Sequence, residues 1–438
     1  MKRSLLTLCM LGAGFSVSAE TAFLPMGENL TYGSVANTQS LISYTNNPAT
    51  GSSALDKETG NFGMGIMASF GVGAEIGPVD NFVDQIDSLK KQLDDFSAKA
   101  SPSIDDVEKI KSDFDGFLVD AGEKGRALVN AGLTAPFFPI VWGSRETLGG
   151  SLVIGASAAA QAQLRILDRP IEYNPLEQGD NILQTNSALY LKVGAVGEAG
   201  LTYSRPVFEM DEGALHAGIR GKYYQVGLRK VLIGINAMKK DAQKILEDEL
   251  DNARDTDFQS GWGADLGVLW TAKNYRLGAW LKNANSPSFK YDAIGVNCDA
   301  AEDSDSCFIA KSFANEINLQ ETYTMDAQAT FEGAVYSDNR KFVASFSADA
   351  SPVNDPVGNQ IQWLTVSAGY ATTSWIIPGI RGGYRKNLAG SNLSAVTAGI
   401  TLFKAIHVDA MYGLEKVEVD GNSAPRIVQL NVGVNLLF

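Results

Sequence analysis

Residues 426–438 at the C-terminus constrain the fold most. Val428, Leu430, Val432, Val434, Leu436 and Phe438 alternate with Gln429, Asn431, Gly433, Asn435 and Leu437. A strand sends successive side chains to opposite faces. One face is therefore oily and the other, Leu437 aside, is polar. The last residue is aromatic. Two settings produce this pattern: the edge strand of a soluble sandwich, and the final strand of a barrel with lipid outside and a polar lumen within. One strand does not separate them, so the rest of the chain has to.

The chain has 438 residues and a formal charge of −14. An acidic balance argues against a nucleic-acid partner, which needs a basic face. Beyond the N-terminus no run of about 18 apolar residues appears, so helical membrane spans are not expected. Strands that cross a membrane give a weaker signal and remain open. Met1, Lys2 and Arg3 supply positive charge, and residues 4–17 form an apolar core. Val17, Ser18 and Ala19 make a small-residue cleavage site before Glu20. Residues 1–19 therefore read as a secretory signal. Cys9 leaves with it. Cys298 and Cys307 remain, and an exported pair at this spacing reads as one disulfide. The other reading, metal ligation, lacks nearby histidines.

Residues 20–60 are polar and turn-rich and read as a folded segment before the barrel or inside it. Residues 62–75 form the first candidate strand. Residues 78–131 differ in kind. Phe82, Ile86, Leu89, Leu93 and Phe96 recur at helical spacing, Pro102 breaks the run, and Ile104, Val107, Ile110, Phe114 and Phe117 follow with Ser103 as N-cap. This predicts a helical hairpin that buries its stripes against itself or the barrel mouth, or offers them to a surface protein partner. Further strands are expected at 133–142, 147–168, 186–208, 214–237, 257–272, 275–292, 318–336, 341–351, 360–373, 376–386, 393–404, 406–419 and 426–438. That makes about 14, the even number expected of a bacterial barrel. The links after even-numbered strands are short, and the long insertions all follow odd-numbered ones. A sandwich has no reason to sort its loops in this way. The reading is an all-β membrane barrel of antiparallel strands, residues 61–438, in the lipid bilayer of the outer membrane.

A charge on the lipid face near mid-membrane costs roughly 2–4 kcal/mol, so charged strand residues should point inward. This predicts a lumen lined by Lys192, Glu198, Arg220, Lys222, Asp265, Asp326, Glu332, Asp349, Arg381, Arg385 and Asp409, with His216, Lys282, His407 and Glu415. Mixed signs fit a structural network of paired charges, and they fit a polar permeation path equally. No catalytic constellation stands out. His407 and Asp409 share a strand face but lack a positioned nucleophile. No phosphate loop, redox pair or metal-spaced histidine cluster is present, so no enzyme activity, cofactor or metal is expected.

Asn47-Pro48-Ala49 resembles a motif in the FadL family of outer-membrane transporters for long-chain fatty acids and other hydrophobic compounds. A longer match lies in residues 355–359 (DPVGN), 362–370 (QWLTVSAGY), 378–387 (PGIRGGYRKN) and the turn at 420–426. With the 136–142 stretch (PFFPIVW) and the helical insertion, it resembles the barrel-type family named conjugal transfer TraF. The resemblance implies a FadL-like barrel with an N-terminal hatch at residues 20–60, with Asn47, Pro48 and Ala49 as hatch residues. It implies passive passage of a small hydrophobic molecule past that hatch, with an apolar pocket between hatch and wall. The charged segment 239–256 is a poor surface for capturing fatty acids. The alternative is a surface interaction or structural protein, related to conjugation, with a sealed lumen.

Overall fold

A computed structural model of the chain describes residues 25–36, 40–54, 61–99, 103–177, 182–236, 238, 257–300, 304–371 and 374–437. The proposed signal at 1–19 and the charged 239–256 segment lie outside them. Strands β1 (Asn61–Ile76), β2 (Arg126–Thr134 with Ile140–Ser144), β3 (Gly150–Leu167), β4 (Ala188–Met210) and β5 (Gly213–Gly234) begin the wall. They are followed by β6 (Gln259–Ala272), β7 (Tyr275–Lys282), β8 (Gln328–Tyr336), β9 (Phe342–Asp349) and β10 (Trp363–Tyr370). Strands β11 (Gly379–Asn387), β12 (Ser394–Leu402), β13 (Ile406–Gly413) and β14 (Ile427–Leu437) complete it. Both pieces of β2 lie between β1 and β3 and count as one interrupted strand. β14 pairs antiparallel with β1, which closes a barrel of 14 strands. A closed barrel has no free edge, so every spanning backbone group finds a partner without water.

Alternation sets the faces. On β14, Gln429, Asn431 and Asn435 are buried inside the barrel, and Leu430 on the other face is 46% exposed. Phe331, Ile380 and Ile219 likewise face outward, as lipid-facing residues do. Aromatic residues collect at both ends of the outer face. Tyr223 and Trp262 stack at one end, with ring centroids 5.0 Å apart. Phe342 and Tyr370 stack at the other, 5.4 Å apart. Short turns join the strands at the second end, and the long insertions emerge at the first. By the rule for such barrels, these ends face the periplasm and the exterior respectively.

Residues 25–36 and 40–54 lie inside the lumen, with three single-turn helices, α1 (Asn29–Tyr32), α2 (Ser43–Asn46) and α3 (Thr50–Ser53). Met26, Leu30, Leu41, Ile42 and Tyr44 are almost wholly buried.

The insertion after β1 folds as α4 (Phe82–Ser97) and α5 (Ile104–Lys124), which bury their stripes against each other, as one of the expected arrangements has it, and against the wall rather than the barrel mouth. Ser103 caps α5 in a reciprocal capping box with Asp106. The apolar stripes meet each other and also Ala162, Leu164, Ile166, Leu189, Leu191 and Val193. On β3 and β4 these residues alternate with the luminal Gln163 and Lys192, so the hairpin packs on the outside of the wall. It does not plug the mouth. Ile104, expected on the buried face, is 54% exposed. It opens the helix ahead of the first covered turn. The hairpin also ends earlier than expected, because residues 126–131 are already strand. Leu128 and Ala131 face opposite sides yet are both apolar, which blurs the alternation there.

Other boundaries shift at the outer end. The strands expected at 275–292 and 318–336 stop at Lys282 and start at Gln328, and a separate two-stranded ribbon, Ser288–Lys290 with Thr322–Thr324, stands above them. Cys298 and Cys307 form a disulfide beside this ribbon, beginning in a short helical turn and ending in α6 (Ser304–Ser312).

Candidate functional site

The interface between the luminal segment and the wall concentrates the buried charge. Arg381 on β11 donates from Nε to Asp409 Oδ1 at 2.7 Å and from a second nitrogen to the other oxygen. Its Nη1 lies 3.5 Å from Glu28 Oε1. His407 Nδ1 also contacts Glu28, and Thr401 Oγ1 donates to it at 3.2 Å. Thr31 in α1 donates to Asp409 at 2.9 Å. Three adjacent strands therefore grip Glu28 and α1. Glu28 was not singled out from the sequence, although one signal was there: it is the sole charged residue between Glu20 and Asp56.

The grip continues around the lumen. Ser34 N donates to Glu332 Oε1 at 2.8 Å, and the Ser34 hydroxyl meets the other oxygen. Arg385 donates to Leu30 O at 3.0 Å. Arg220 lies 2.7 Å from Glu198 and also donates to Thr45 O. Lys222 pairs with Asp265 at 2.6 Å and with Asn283. His216 Nδ1 meets the Ser52 hydroxyl at 2.9 Å. Asp349 accepts from Thr330 at 2.8 Å and from Trp363 N. Asn47 turns back to accept from Ala49 N at 3.0 Å and donates to Val268 O. The Asn47-Pro48-Ala49 turn presses on Gly218 and Gly267. A Cβ on Gly218 would stand 2.2 Å from Pro48 O, so only glycine admits this approach.

Two expected lumen residues lie elsewhere. Asp326 is exposed at the outer rim, in the link before β8. It keeps the alternation phase of Gln328, but the strand starts after it. Glu415 sits past the end of β13, where it accepts from Ser394 N at 3.0 Å. Arg276 and Lys230 face inward and are buried but were not anticipated. Lys192 and Lys230 share Glu321, at 2.6 and 3.6 Å, in a polar vestibule of about 550 Å³ at the outer mouth.

The wall itself has an irregular place. β2 breaks at residues 135–139, opposite register shifts in β1 between Gly65 and Phe70. Phe137, at φ 69°, donates from its backbone to Ile66 O at 3.0 Å, and Gly65 N donates to Pro139 O at 3.1 Å. Met26 and Ile42 of the luminal segment pack on Ala68 behind this seam. Leu41 and Tyr44 pack on Val141 and Val153 beside it.

A family model described as "F plasmid transfer operon, TraF, protein" matches residues 44–349. The chain belongs to that family. The match runs from α2 of the luminal segment to the end of β9. No protein with a curated description matches. Solved structures similar to this chain include the TodX deltaS2S3 mutant monoaromatic hydrocarbon channel. It has 12% identity and a TM-score of 0.43, with 97% of this chain and 99% of that one covered. The toluene transporter TbuX from Ralstonia pickettii has 11% identity and a TM-score of 0.39, covering 95% and 97%. CdiB from Acinetobacter baumannii has 9% identity and a TM-score of 0.29, covering 84% and 60%.

A loop reaches into the outer mouth of the barrel. Residues 350–362 fold inward, Tyr291 donates to Pro356 O, and Asp355 is buried. Asp355 Oδ1 accepts from Val357 N at 3.0 Å and Asn359 N at 2.8 Å. Burial pushes its carboxyl up to about 6, against those hydrogen bonds and the charge of Lys192.

Proposed function

We propose that this TraF-family barrel is a gated outer-membrane passage for a small hydrophobic molecule. In this reading residues 25–54 are the gate. The observation that carries it is the seam. The wall is interrupted at 135–139, and the luminal segment backs that interruption with Met26 and Ile42, packed on Ala68 of β1, rather than with charge. Phe62, Ile140, Trp142, Leu152 and Ile154 line an apolar groove of about 340 Å³ on the outer face beside it. Withdrawal of Met26 and Ile42 would join lumen to bilayer along apolar surface, which suits a hydrophobic solute leaving sideways. Among the described residues the segment is held to the wall by hydrogen bonds, ion pairs and apolar packing, with no disulfide, so its movement requires no covalent change.

One expectation does not fit easily. The cavity beside the segment is lined about equally by polar and apolar groups, where the FadL resemblance implies an apolar pocket. The surface-interaction reading draws on this and on the hairpin, whose outer face carries the pairs Lys90–Asp94, Lys91–Asp95 and Lys111–Asp115. Uptake separates the two. Cells carrying the protein in their outer membrane should take up labelled naphthalene several-fold faster than cells without it. Equal rates would remove the passage and leave a sealed barrel acting through its surface.

A further inference from the structure

The links at the turn end of the barrel divide by charge. Links 145–149 and 211–212, which join β2 to β3 and β4 to β5, carry Glu146, Asp211 and Glu212 against Arg145. Links 273–274 and 337–341, which join β6 to β7 and β8 to β9, carry Lys273, Arg340 and Lys341 against Asp338, and all four are exposed. Arg340 Nη2 donates to Ala272 O at 3.1 Å and to Lys273 O at 2.8 Å, which ties the two basic links together. Asp338 accepts from Asn274 Nδ2 at 2.8 Å. None of the three cations has an ion-pair partner among the described residues.

Beside this basic arc the lipid-facing wall is hollow. Ala344, Ala368 and Gly382 stand opposite one another on β9, β10 and β11, and the row runs on through Ala398 and Ala410. Val343, Ser367 and Arg381, one residue away on the same strands, are buried toward the lumen, so the row faces lipid. Two residues nearer the periplasm, Phe342, Tyr370 and Ile380 form one bank. Two residues the other way, Phe346, Val366 and Tyr384 form the other. Over β8 to β11 the result is an open groove of about 820 Å³. Strand rise and spacing put its banks about 13 Å apart at the backbone and make its floor about 19 Å long from Ala344 to Ala410. One leaflet of the hydrocarbon core is about 15 Å deep, so the groove has the length of one acyl chain. The apolar surface continues past the strand ends. Ser374 Oγ accepts from Ile376 N and Ile377 N, both at 3.1 Å, and this turn presents Trp375 and Ile376 at 61% and 90% exposure. A tryptophan there stands where interfacial aromatics stand.

We propose that this sector of the wall holds one anionic glycerophospholipid of the periplasmic leaflet, with a chain in the groove and the phosphate at Lys341. Lys341 precedes Phe342 of the bank, and its carbonyl accepts from Ala371 N at 2.7 Å, just past Tyr370. The cation therefore stands at the periplasmic edge of the groove. A negative head group answers charges that the chain leaves unpaired, and apolar surface next to clustered cations is what anionic lipid selects. A second copy of the chain fits less well, because an isologous contact through this face would bring the same cations toward their mates. The inference does not depend on the passage reading.

The test is native mass spectrometry of the mature full-length protein, released from micelles that hold equal amounts of phosphatidylglycerol and phosphatidylcholine with the same chains. The intact barrel should retain one phosphatidylglycerol in preference to phosphatidylcholine. Lys273→Gln with Lys341→Gln should reduce that preference by about fivefold per charge removed. A Cβ on Gly382 would meet only Thr397 O, at 3.6 Å, so Gly382→Leu fills the floor without strain and should lose the retained lipid. Ala368→Leu fills the same floor if the first variant does not fold, which the heat-dependent gel shift reports. Equal retention of both lipids, or a preference that survives the charge and groove variants, would overturn the site. A dimer in place of bound lipid, abolished by Gly382→Leu, would assign the face to a second copy and overturn it as well.

Discussion

Arg381 holds both oxygens of Asp409 and still reaches Glu28, and all three side chains are nearly sealed from solvent. Asp409→Ala removes the bidentate partner and leaves a buried guanidinium half-answered, a change worth about 3–5 kcal/mol. The melting temperature of the folded barrel, followed by its heat-dependent gel shift, should fall clearly. Glu28→Ala should lower it less, because Arg381 keeps Asp409. Asp355 gives a second prediction, of opposite sense to that of an ordinary paired carboxylate. Its pKa is raised to about 6 from 3.8, so the folded loop binds the proton more tightly than the unfolded chain. The resulting stability is fully present below about 4 and is lost as pH rises through 6. Each tenfold gain in proton affinity is worth about 1.4 kcal/mol, which makes the difference about 3 kcal/mol. Hydrogen exchange at Val357 and Asn359 should therefore show the loop better protected at pH 4.5 than at pH 7.5 once intrinsic rates are corrected, and Asp355→Asn should abolish the difference.

At the scale of elements, legibility followed the strength of the alternation. β14 was readable because Gln429, Asn431 and Asn435 are polar and their neighbours are not. β2 was readable only in part. On its inner face the apolar Leu128 stands between Arg126 and Asn130, while Ala127, Val129 and Ala131 point outward to the hairpin and lipid, and its break at 135–139 carries no periodic signal. Both helices of the hairpin were visible in their stripes. Which side of the wall they cover was not, because Leu164, Ile166, Leu189 and Leu191 look the same in sequence whether lipid or a helix lies over them. A consequence can be measured. Phe114 is 4% exposed in the cluster beneath the hairpin, and Phe114→Ala should loosen it by about 3–5 kcal/mol. Limited proteolysis should then cut within residues 82–124 at temperatures where the barrel remains folded. Unchanged resistance would mean that the hairpin is held mainly by its ends, where Asp80 and Asn81 bond the 416–422 turn.

Across the whole molecule, the sorting of long and short links gave the architecture, and the inward charges gave the character of the lumen. The partner of those charges was harder to see. Arg381, Arg220 and Glu332 read from sequence only as lumen-lining charges, yet each also binds the luminal segment, through Glu28, Thr45 O and Ser34. Strand phase says that a side chain points inward but not what it meets there. The central claim is that residues 25–54 close a path which the wall would otherwise leave open. Single-channel conductance in a planar bilayer tests this most directly, comparing the mature protein with a variant lacking residues 20–60. The account predicts a silent intact barrel, brief openings in Glu28→Ala, and steady conductance in the truncated protein. Silence in all three would contradict it, because the wall charges and the 350–362 loop would then seal the lumen without the segment's help.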